Sequence, residues 1–210
     1  TPNCASAYRM GECSMREGTR EQRRASAGSM RRPAEPVSLL LTCEHGGNLV
    51  PEGLQTLFED RNRLLQSHRG WDPGALDLAG HLASTLQAPL CFALVSRLVV
   101  DLNRSLDHPS LWSDLTTSLD ASARRDLLAR HYHPYRRQVQ AMVARGCRPA
   151  RARCMHVSIH TFTPIFRGRK RQVDIGVLFD PSRPFEARAA AALERHLKNA
   201  LPRLRIRRNQ

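Results

Sequence analysis

The decapeptide TCEHGGNLVP at residues 42–51 constrains the fold of this chain more than any other stretch. It follows a short apolar run, residues 37–41, that is typical of a buried strand. The run ends at an adjacent carboxylate and imidazole, Glu44 and His45, and two glycines then allow a sharp turn and a close backbone approach. Open α/β folds place their sites where buried strands end. We therefore expect a site at this turn, with an ordinary strand-to-helix turn that carries an incidental histidine as the alternative.

The composition fits one domain with a strong positive charge. The 210 residues carry a formal net charge of +14 and only two lysines, so that 31 of the 33 basic residues are arginines. These arginines are spread along the chain and aromatic residues make up only 5%, a pattern that does not favour nucleic-acid binding. No apolar run approaches the roughly 18 residues that a membrane span requires.

The six cysteines do not form a recognisable metal or disulfide framework. No pair has the C-x-x-C spacing of zinc ribbons and thioredoxin-like sites. Because no secretory signal is visible, we expect reduced thiols in a cytoplasmic protein.

Residues 1–36 differ from the rest of the chain. They contain few large apolar residues, are rich in Arg, Ser, Gly and Glu, and show no sustained periodicity. Such a segment cannot bury enough apolar surface to offset the entropy lost on ordering. We therefore predict a disordered extension over residues 1–36 and one folded domain over residues 37–210.

The hydrophobic patterns beyond residue 36 predict alternating strands and helices. Strands are expected at residues 37–41, 90–95, 153–162, 173–179 and 204–208, and helices at residues 52–66 (with a break), 76–86, 121–144 and 185–200. The resulting order, β-α-β-α-β-β-α-β, favours an α/β fold in which a mixed, mostly parallel sheet carries helices on both faces.

Four separated segments place polar side chains at predicted strand ends or in glycine-rich loops. These side chains are Glu44 and His45, Asp72, Asn103 and Arg104, and His156 and His160. Two histidines and one carboxylate from separate segments form the ligand set of an open, catalytic zinc site, which activates water as a nucleophile. An arginine beside such a site can hold an anionic group by a two-pronged contact. Taken singly, His160 is better explained as a core histidine and Arg104 as a surface arginine.

Five segments together carry a family resemblance. They occur in the order TCEHGGNLVP, RGWDPGA, SRLVVDLNRS, HVSIHTFTP and VDIGVLFDPSR. As a set they resemble N-formylglutamate amidohydrolases over residues 37–210, a family whose fold is similar to that of zinc-dependent exopeptidases. The resemblance implies an amidohydrolase-like catalytic domain that uses one zinc ion to hydrolyse N-formyl-glutamate, or a similar N-acyl amino acid, to formate and glutamate.

The resemblance also implies a set of metal ligands. His45 and His160 match the two histidines that bind zinc in the exopeptidase fold. That fold has a glutamate ligand three residues after the first histidine, where this chain has Asn48. Asp72 is the first candidate to replace it and Glu44 the second, and Glu44 is also the candidate catalytic residue.

A second group of residues is expected to bind the substrate. Asn103 and Arg104 match the Asn-Arg pair that grips the substrate carboxylate in the exopeptidases, and Arg97 is expected to assist them. His156 should face the same side of its strand as His160, either as a support for the site or as a structural residue. The expected partner is a small anionic substrate rather than nucleic acid or a membrane.

The family resemblance also bears on the C-terminus. The family usually continues past the place of residue 210 with a loop, a helix and a strand that carries glutamates, one of which resembles the carboxypeptidase general base. We therefore expect a domain that is incomplete at its C-terminus. The alternative to an enzyme is a truncated, catalytically impaired relative that acts as a basic binding protein.

Overall fold

The apolar run that precedes the Glu44-His45 pair forms the central strand of a parallel sheet. β1 (Val37–Cys43) lies between β2 (Leu90–Phe92) and β3 (Arg153–Ser158) and runs parallel to both. The last four residues of β1 are buried, as expected for a strand that is paired on both edges and covered on both faces. The carboxyl ends of the three strands therefore meet at one edge of the sheet.

The computed structural model describes residues 37–147, 153–166 and 168–209. The predicted disordered extension over residues 1–36 lies outside this part of the chain. Among the described residues, no helix is both long enough and apolar enough to cross a membrane.

The other elements of the described residues follow the predicted alternation. The helices are α1 (Asn62–Leu65), α2 (Ala75–Leu86), α3 (Ala121–Leu127), α4 (His133–Gly146) and α5 (Pro184–Ala200). Two small sheets consist of the antiparallel pair β4 (Ile165–Phe166) and β5 (Arg169–Lys170) and the parallel pair β6 (Ile175–Val177) and β7 (Ile206–Arg208). The predicted strands are therefore present, but those after β1 are shorter than the apolar patterns indicated.

Helices cover both faces of the central sheet. On one face α2 packs against β1, where Ala75 and Ala79 contact the buried Cys43. The opposite face is covered by α4, whose Tyr135 reaches Glu44 just beyond β1. Because successive strand residues point to opposite faces, Cys43 and Glu44 mark the two sides of the sheet. This arrangement confirms the predicted fold class.

The longest predicted helix contains a change of helical geometry. α3 passes through a π-helical turn, Leu128–Tyr132, and continues directly as α4. Its first turn is capped by Asp120, whose carboxylate accepts a hydrogen bond from the backbone N–H of Ala123 at 2.7 Å. The helix buries Tyr132 and Tyr135 against the core.

The segment between β1 and α2 is more irregular than predicted. Residues 52–66 form only a 3₁₀ turn (Gln55–Phe58) and the single turn of α1. Positive φ angles at Gly53 (84°) and Asp60 (58°) interrupt the predicted helix on both sides of the 3₁₀ turn. The segment still contributes the buried Phe58 to the core.

The glycines after His45 are needed for close packing. A Cβ on Gly47 would lie 2.6 Å from the carbonyl oxygen of Leu94, and a Cβ on Gly46 would lie 2.9 Å from that of Ala93. The predicted close approach therefore exists, but it is made to the chain after β2. This contact fixes the path by which the backbone leaves β1.

Candidate metal centre

Three of the predicted ligands meet at the carboxyl edge of the sheet. His45 follows β1, Asp72 lies in the loop before α2, and His160 lies two residues beyond β3. One ligand atom from each residue lies within 4.8 Å of the other two. The loop of Asp72 is tied to β1 because its backbone N–H donates to the carbonyl oxygen of His45 at 2.9 Å.

The hydrogen bonds of His45 leave one ring nitrogen available. Nε2 of this buried ring lies 2.8 Å from Oδ1 of Asp101, and a carboxylate can only accept, so Nε2 carries a proton. The other nitrogen, Nδ1, is buried without a hydrogen-bond partner and lies 3.4 Å from Oδ2 of Asp72. In the neutral ring, the lone pair of Nδ1 therefore faces the carboxylate of Asp72.

His160 also directs its Nδ1 atom at Asp72, but at hydrogen-bonding distance, so that a proton on Nδ1 is donated to the carboxylate unless a metal ion replaces it. Its Nε2 lies 2.9 Å from Oγ of Ser158, whose hydroxyl donates to Glu44, so Nε2 is again the donor. Its Nδ1 lies 2.7 Å from the same Oδ2 atom of Asp72. Two imidazole nitrogens and a carboxylate oxygen thus face one another, and their lone pairs require a positive charge between them. A proton or a metal ion can supply that charge, and this donor set is the one that catalytic zinc sites use.

Glu44 lies next to His160, and both of its carboxylate oxygens accept hydrogen bonds. Tyr135 donates its hydroxyl to Oε1 at 2.8 Å, Ser158 donates to Oε2, and His160 Nε2 lies 3.4 Å from Oε2. Burial alone would raise the pKa of Glu44, but the hydrogen bonds from Ser158, Thr42 and Tyr135 outweigh it and lower the pKa. Glu44 is therefore an oriented carboxylate at neutral pH.

The buried carboxylates at this edge are held in their charged form. Burial opposes the ionisation of Asp72, but the adjacent imidazoles of His160 and His45 hold its pKa well below the usual range. Burial likewise opposes the ionisation of Asp101, but His45 and Arg97 lower the pKa of this carboxyl group to about 2. The same two carboxylates raise the pKa of His45, although burial acts in the opposite direction. An anionic, water-poor site of this kind favours cation binding.

The three residues predicted to bind substrate lie beside this cluster but differ in their partners. Arg97 donates from Nη2 to Oδ2 of Asp101 at 2.9 Å, and its Nη1 lies 3.7 Å from Asp72. The side chain of Arg104 is 40% exposed, and its Nε lies 3.8 Å from Asp101 without a hydrogen-bond partner. The amide nitrogen of Asn103 lies 3.3 Å from Nε2 of His160. Arg97 is thus directed at buried carboxylates, whereas Arg104 extends towards solvent at the edge of the site.

Two further predicted positions point away from the cluster. Nε2 of His156 lies 2.8 Å from the hydroxyl oxygen of Thr42, on the face of the sheet that α4 covers, and burial lowers its pKa. The side-chain amide of Asn48, which occupies the place of the exopeptidase glutamate, donates to the carbonyl oxygen of Leu65 at 3.2 Å. The third ligand atom of the cluster therefore comes from Asp72.

Comparison with known proteins agrees with this architecture. A sequence model of the N-formylglutamate amidohydrolase family matches residues 37–210. The chain belongs to this family. The crystal structure of gene product Atu2144 from Agrobacterium tumefaciens is similar, with 33% sequence identity and a TM-score of 0.72, over 82% of this chain and 69% of that chain. A search of curated proteins found no significant match.

Membership of the N-formylglutamate amidohydrolase family confirms the resemblance that the five segments indicated. It also supports an amidohydrolase-type function, that is, a hydrolase that acts on amides. The His45, Asp72 and His160 group could hold a metal ion in this member of the family.

Three polar residues of the N-formylglutamate amidohydrolase site were not singled out from the sequence. Asp101 directly follows the buried residues 98–100, the same signal that drew attention to Glu44 at the end of β1. Tyr135 and Ser158 are separated from Glu44 by 91 and 114 residues, and no local pattern links them to it. Only the three-dimensional arrangement identifies these two as partners of Glu44.

Proposed function

We propose that the chain is a metal-dependent amidohydrolase that hydrolyses N-formyl-glutamate, or a similar N-acyl amino acid, to formate and glutamate. The proposal rests on the convergence of the ligand atoms of His45, Asp72 and His160 in a member of the N-formylglutamate amidohydrolase family. These three residues would hold one divalent ion. Zinc is the first candidate because two imidazoles and one carboxylate suit it.

The metal ion and the protein would have separate tasks. When bound, the ion would lower the pKa of a water molecule and polarise the amide carbonyl of the substrate. Asp101 holds the proton of His45 on Nε2, so that Nδ1 stays available as a ligand atom. Ser158, backed by Glu44, has the same effect on His160.

Glu44 was expected to be catalytic, and its contacts suggest how it would contribute. Both of its oxygens accept hydrogen bonds, from Tyr135 and Ser158, and the side chain is buried, so that the carboxylate is directed at these partners instead of at a substrate. We propose that Glu44 acts through Ser158 and His160 by fixing the orientation and the proton position of the histidine ring.

Arg104 is the proposed anchor for the substrate carboxylate, with Asn103 beside it. The guanidinium of Arg104 has five donors in a rigid fork that matches a carboxylate. Its partly exposed position next to Asp101 leaves it accessible to a small anion. Arg97 would assist from a distance, because its contacts with Asp101 and Asp72 keep both carboxylates charged.

A paired measurement of metal content and formate release tests the proposal. The purified protein should contain about one equivalent of zinc and release formate from N-formyl-glutamate. Removal of the metal with a chelator should abolish the activity, and added zinc should restore it. The same activity after complete removal of the metal would contradict the metal-dependent mechanism. A full equivalent of zinc without formate release from N-formyl amino acids would instead favour the impaired binding protein.

A further inference from the structure

Two thiols meet at the end of β3 that lies farthest from the candidate metal centre. Cys147 caps the C-terminus of α4, and Cys154 is the second residue of β3. The side chain of Cys147 is in hydrogen-bonding contact with that of Cys154. Only six residues separate the two cysteines in the sequence.

The packing of α4 explains why the two thiols come together. The helix ends at Gly146, where a Cβ atom would lie 2.9 Å from Sγ and 3.3 Å from Cβ of Cys154. A glycine at this position therefore lets the end of the helix approach the strand to within contact distance. Cys154 is itself fixed, because it pairs with Ser38 in the register of β1 and β3. A disulfide requires the Cβ atoms of its two cysteines to lie about 3.5–4.5 Å apart, which only neighbours packed as closely as the end of α4 and the start of β3 can reach.

The other cysteines among the described residues are shielded. Cys43 and Cys91 are both buried, and burial raises their pKa values to about 12 and about 11. Cys147 is exposed to solvent and Cys154 is half-buried. An oxidant in solution therefore reaches Cys147 first, with Cys154 as the nearest second thiol.

We propose that Cys147 and Cys154 form a reversible disulfide that joins the end of α4 to the start of β3 under oxidising conditions. With glutathione disulfide as the oxidant, the thiolate of Cys147 attacks one sulfur and releases one molecule of reduced glutathione. The thiolate of Cys154 then attacks the sulfur of Cys147 in the mixed disulfide and releases a second one. The two protein thiols lose two protons and two electrons, and glutathione disulfide gains them.

The bond would join two elements that both support the candidate site. α4 carries Tyr135 and β3 carries Ser158, and both donate a hydroxyl hydrogen bond to Glu44. The disulfide would close an eight-residue loop and restrict the unfolded chain. We expect the melting temperature of the oxidised protein to rise by roughly 5–10 °C.

Mass spectrometry of the full chain tests the assignment. The protein is equilibrated in a series of ratios of glutathione disulfide to glutathione, alkylated, and digested with trypsin without reduction. We expect the tryptic peptides of residues 146–151 and 154–167 to be cross-linked, with a mass two hydrogens below the sum of their reduced masses. Dithiothreitol should separate them. Cys147→Ser and Cys154→Ser should each remove both the cross-link and the rise in melting temperature.

Three results would overturn the proposal. The first is that both peptides remain separately alkylated when glutathione is almost fully oxidised. The second is that Cys147 is found mainly linked to Cys4, Cys13 or a second copy of the chain. The third is that the cross-link forms but the melting temperature of the wild type rises no more than that of Cys147→Ser under the same treatment.

Discussion

The candidate metal centre and the C-terminal part of the chain contain ion pairs of similar length that differ in their exposure to solvent. At the centre, the nearly inaccessible Asp101 lies 2.8 Å from His45. In the C-terminal part, the exposed Asp174 lies 2.8 Å from Arg205, and Glu194 lies 2.7 Å from Arg208. The distances do not distinguish the two regions, but the solvent around them does.

This difference determines what each pair contributes. An exposed ion pair is screened by water and contributes little, whereas removal of one partner from a buried pair leaves an uncompensated charge. Around the metal centre, Glu44, Asp72 and Asp101 are all buried carboxylates. The centre therefore holds negative charge that a cation would stabilise. The exposed C-terminal carboxylates are screened by water and create no comparable need for a cation.

The largest expected effect follows from removal of a ligand. His160→Ala should lower zinc affinity by more than roughly a hundredfold, since outer partners of ligands alone are worth about 10–100-fold. His156→Ala is the matched control, because His156 lies on β3 but contacts Thr42 instead of the cluster. Calorimetric titration of the metal-free variants with zinc measures both. Equal affinities for the two variants would show that His160 is not a ligand.

The second largest expected effect is a loss of stability at acid pH, caused by protonation of the buried Asp101. The pKa of Asp101 is lowered from 3.8 to about 2 in the folded protein. Because the pKa is lowered on folding, the ionised carboxylate of Asp101 stabilises the folded protein fully above about pH 4. This stabilisation is lost as the pH falls through about 2. This corresponds to about 2 kcal/mol in the free energy of unfolding.

Urea unfolding of the metal-free protein at several pH values measures this loss. Asp101→Asn is the control, because it cannot titrate and should show a correspondingly flatter dependence over the same range. Identical pH profiles for the wild type and the variant would contradict the assigned role of Asp101.

A change at the edge of the centre should affect ligand binding more than stability. Arg104→Lys should weaken the binding of N-acyl amino acids with a free α-carboxylate by roughly tenfold, because lysine lacks the two-pronged donor geometry. Binding of the amide-capped analogue should change little. Arg97→Lys offers a contrast, since Arg97 contacts Asp101 and Asp72 and its loss should affect both ligands. Calorimetry measures the affinity of each variant for the free acid and for the amide. Equal losses of affinity for the two ligands in Arg104→Lys would exclude Arg104 as the carboxylate anchor.

The smallest effect is expected in the C-terminal part. Asp174→Asn removes the charge that accepts hydrogen bonds from Nε and Nη2 of Arg205. Because this pair is exposed and screened by water, the free energy of unfolding should change by little more than the error of the measurement. Chemical denaturation at neutral pH tests this directly. A loss as large as that of a buried pair would remove the distinction between the two regions.

The sequence predicted those features that depend on local signals. β1 was recognisable from its apolar run, and Asp72 from the glycine and proline that flank it. His160 was recognisable from its place at the end of an alternating segment, although β3 itself ends at Ser158. The resemblance of the five segments then related these residues to one another.

The remaining features depend on contacts between distant parts of the chain. The hydrophobic pattern predicted the long helix that carries Tyr135, but it could not show that the hydroxyl of this residue reaches Glu44. Similarly, the sequence could not show that Arg97 contacts buried carboxylates whereas Arg104 extends towards solvent. Their different roles depend on how each guanidinium is oriented relative to Asp101. Strand lengths after β1 also depended on pairing partners, which the apolar runs do not specify.

The π-helical turn between α3 and α4 has a consequence for the evolution of this family member. Each residue of an α-helix adds about 100° of rotation, so a single deletion within the turn would rotate one part of the helix relative to the other. Tyr132 donates its hydroxyl to the carbonyl oxygen of Arg104 at 2.7 Å, and Tyr135 donates to Glu44. These two contacts fix α4, so a deletion before Tyr132 would rotate the buried Leu127 of α3 away from the core. Relatives that keep both tyrosines should therefore vary here by substitution, with insertions and deletions confined to the loops.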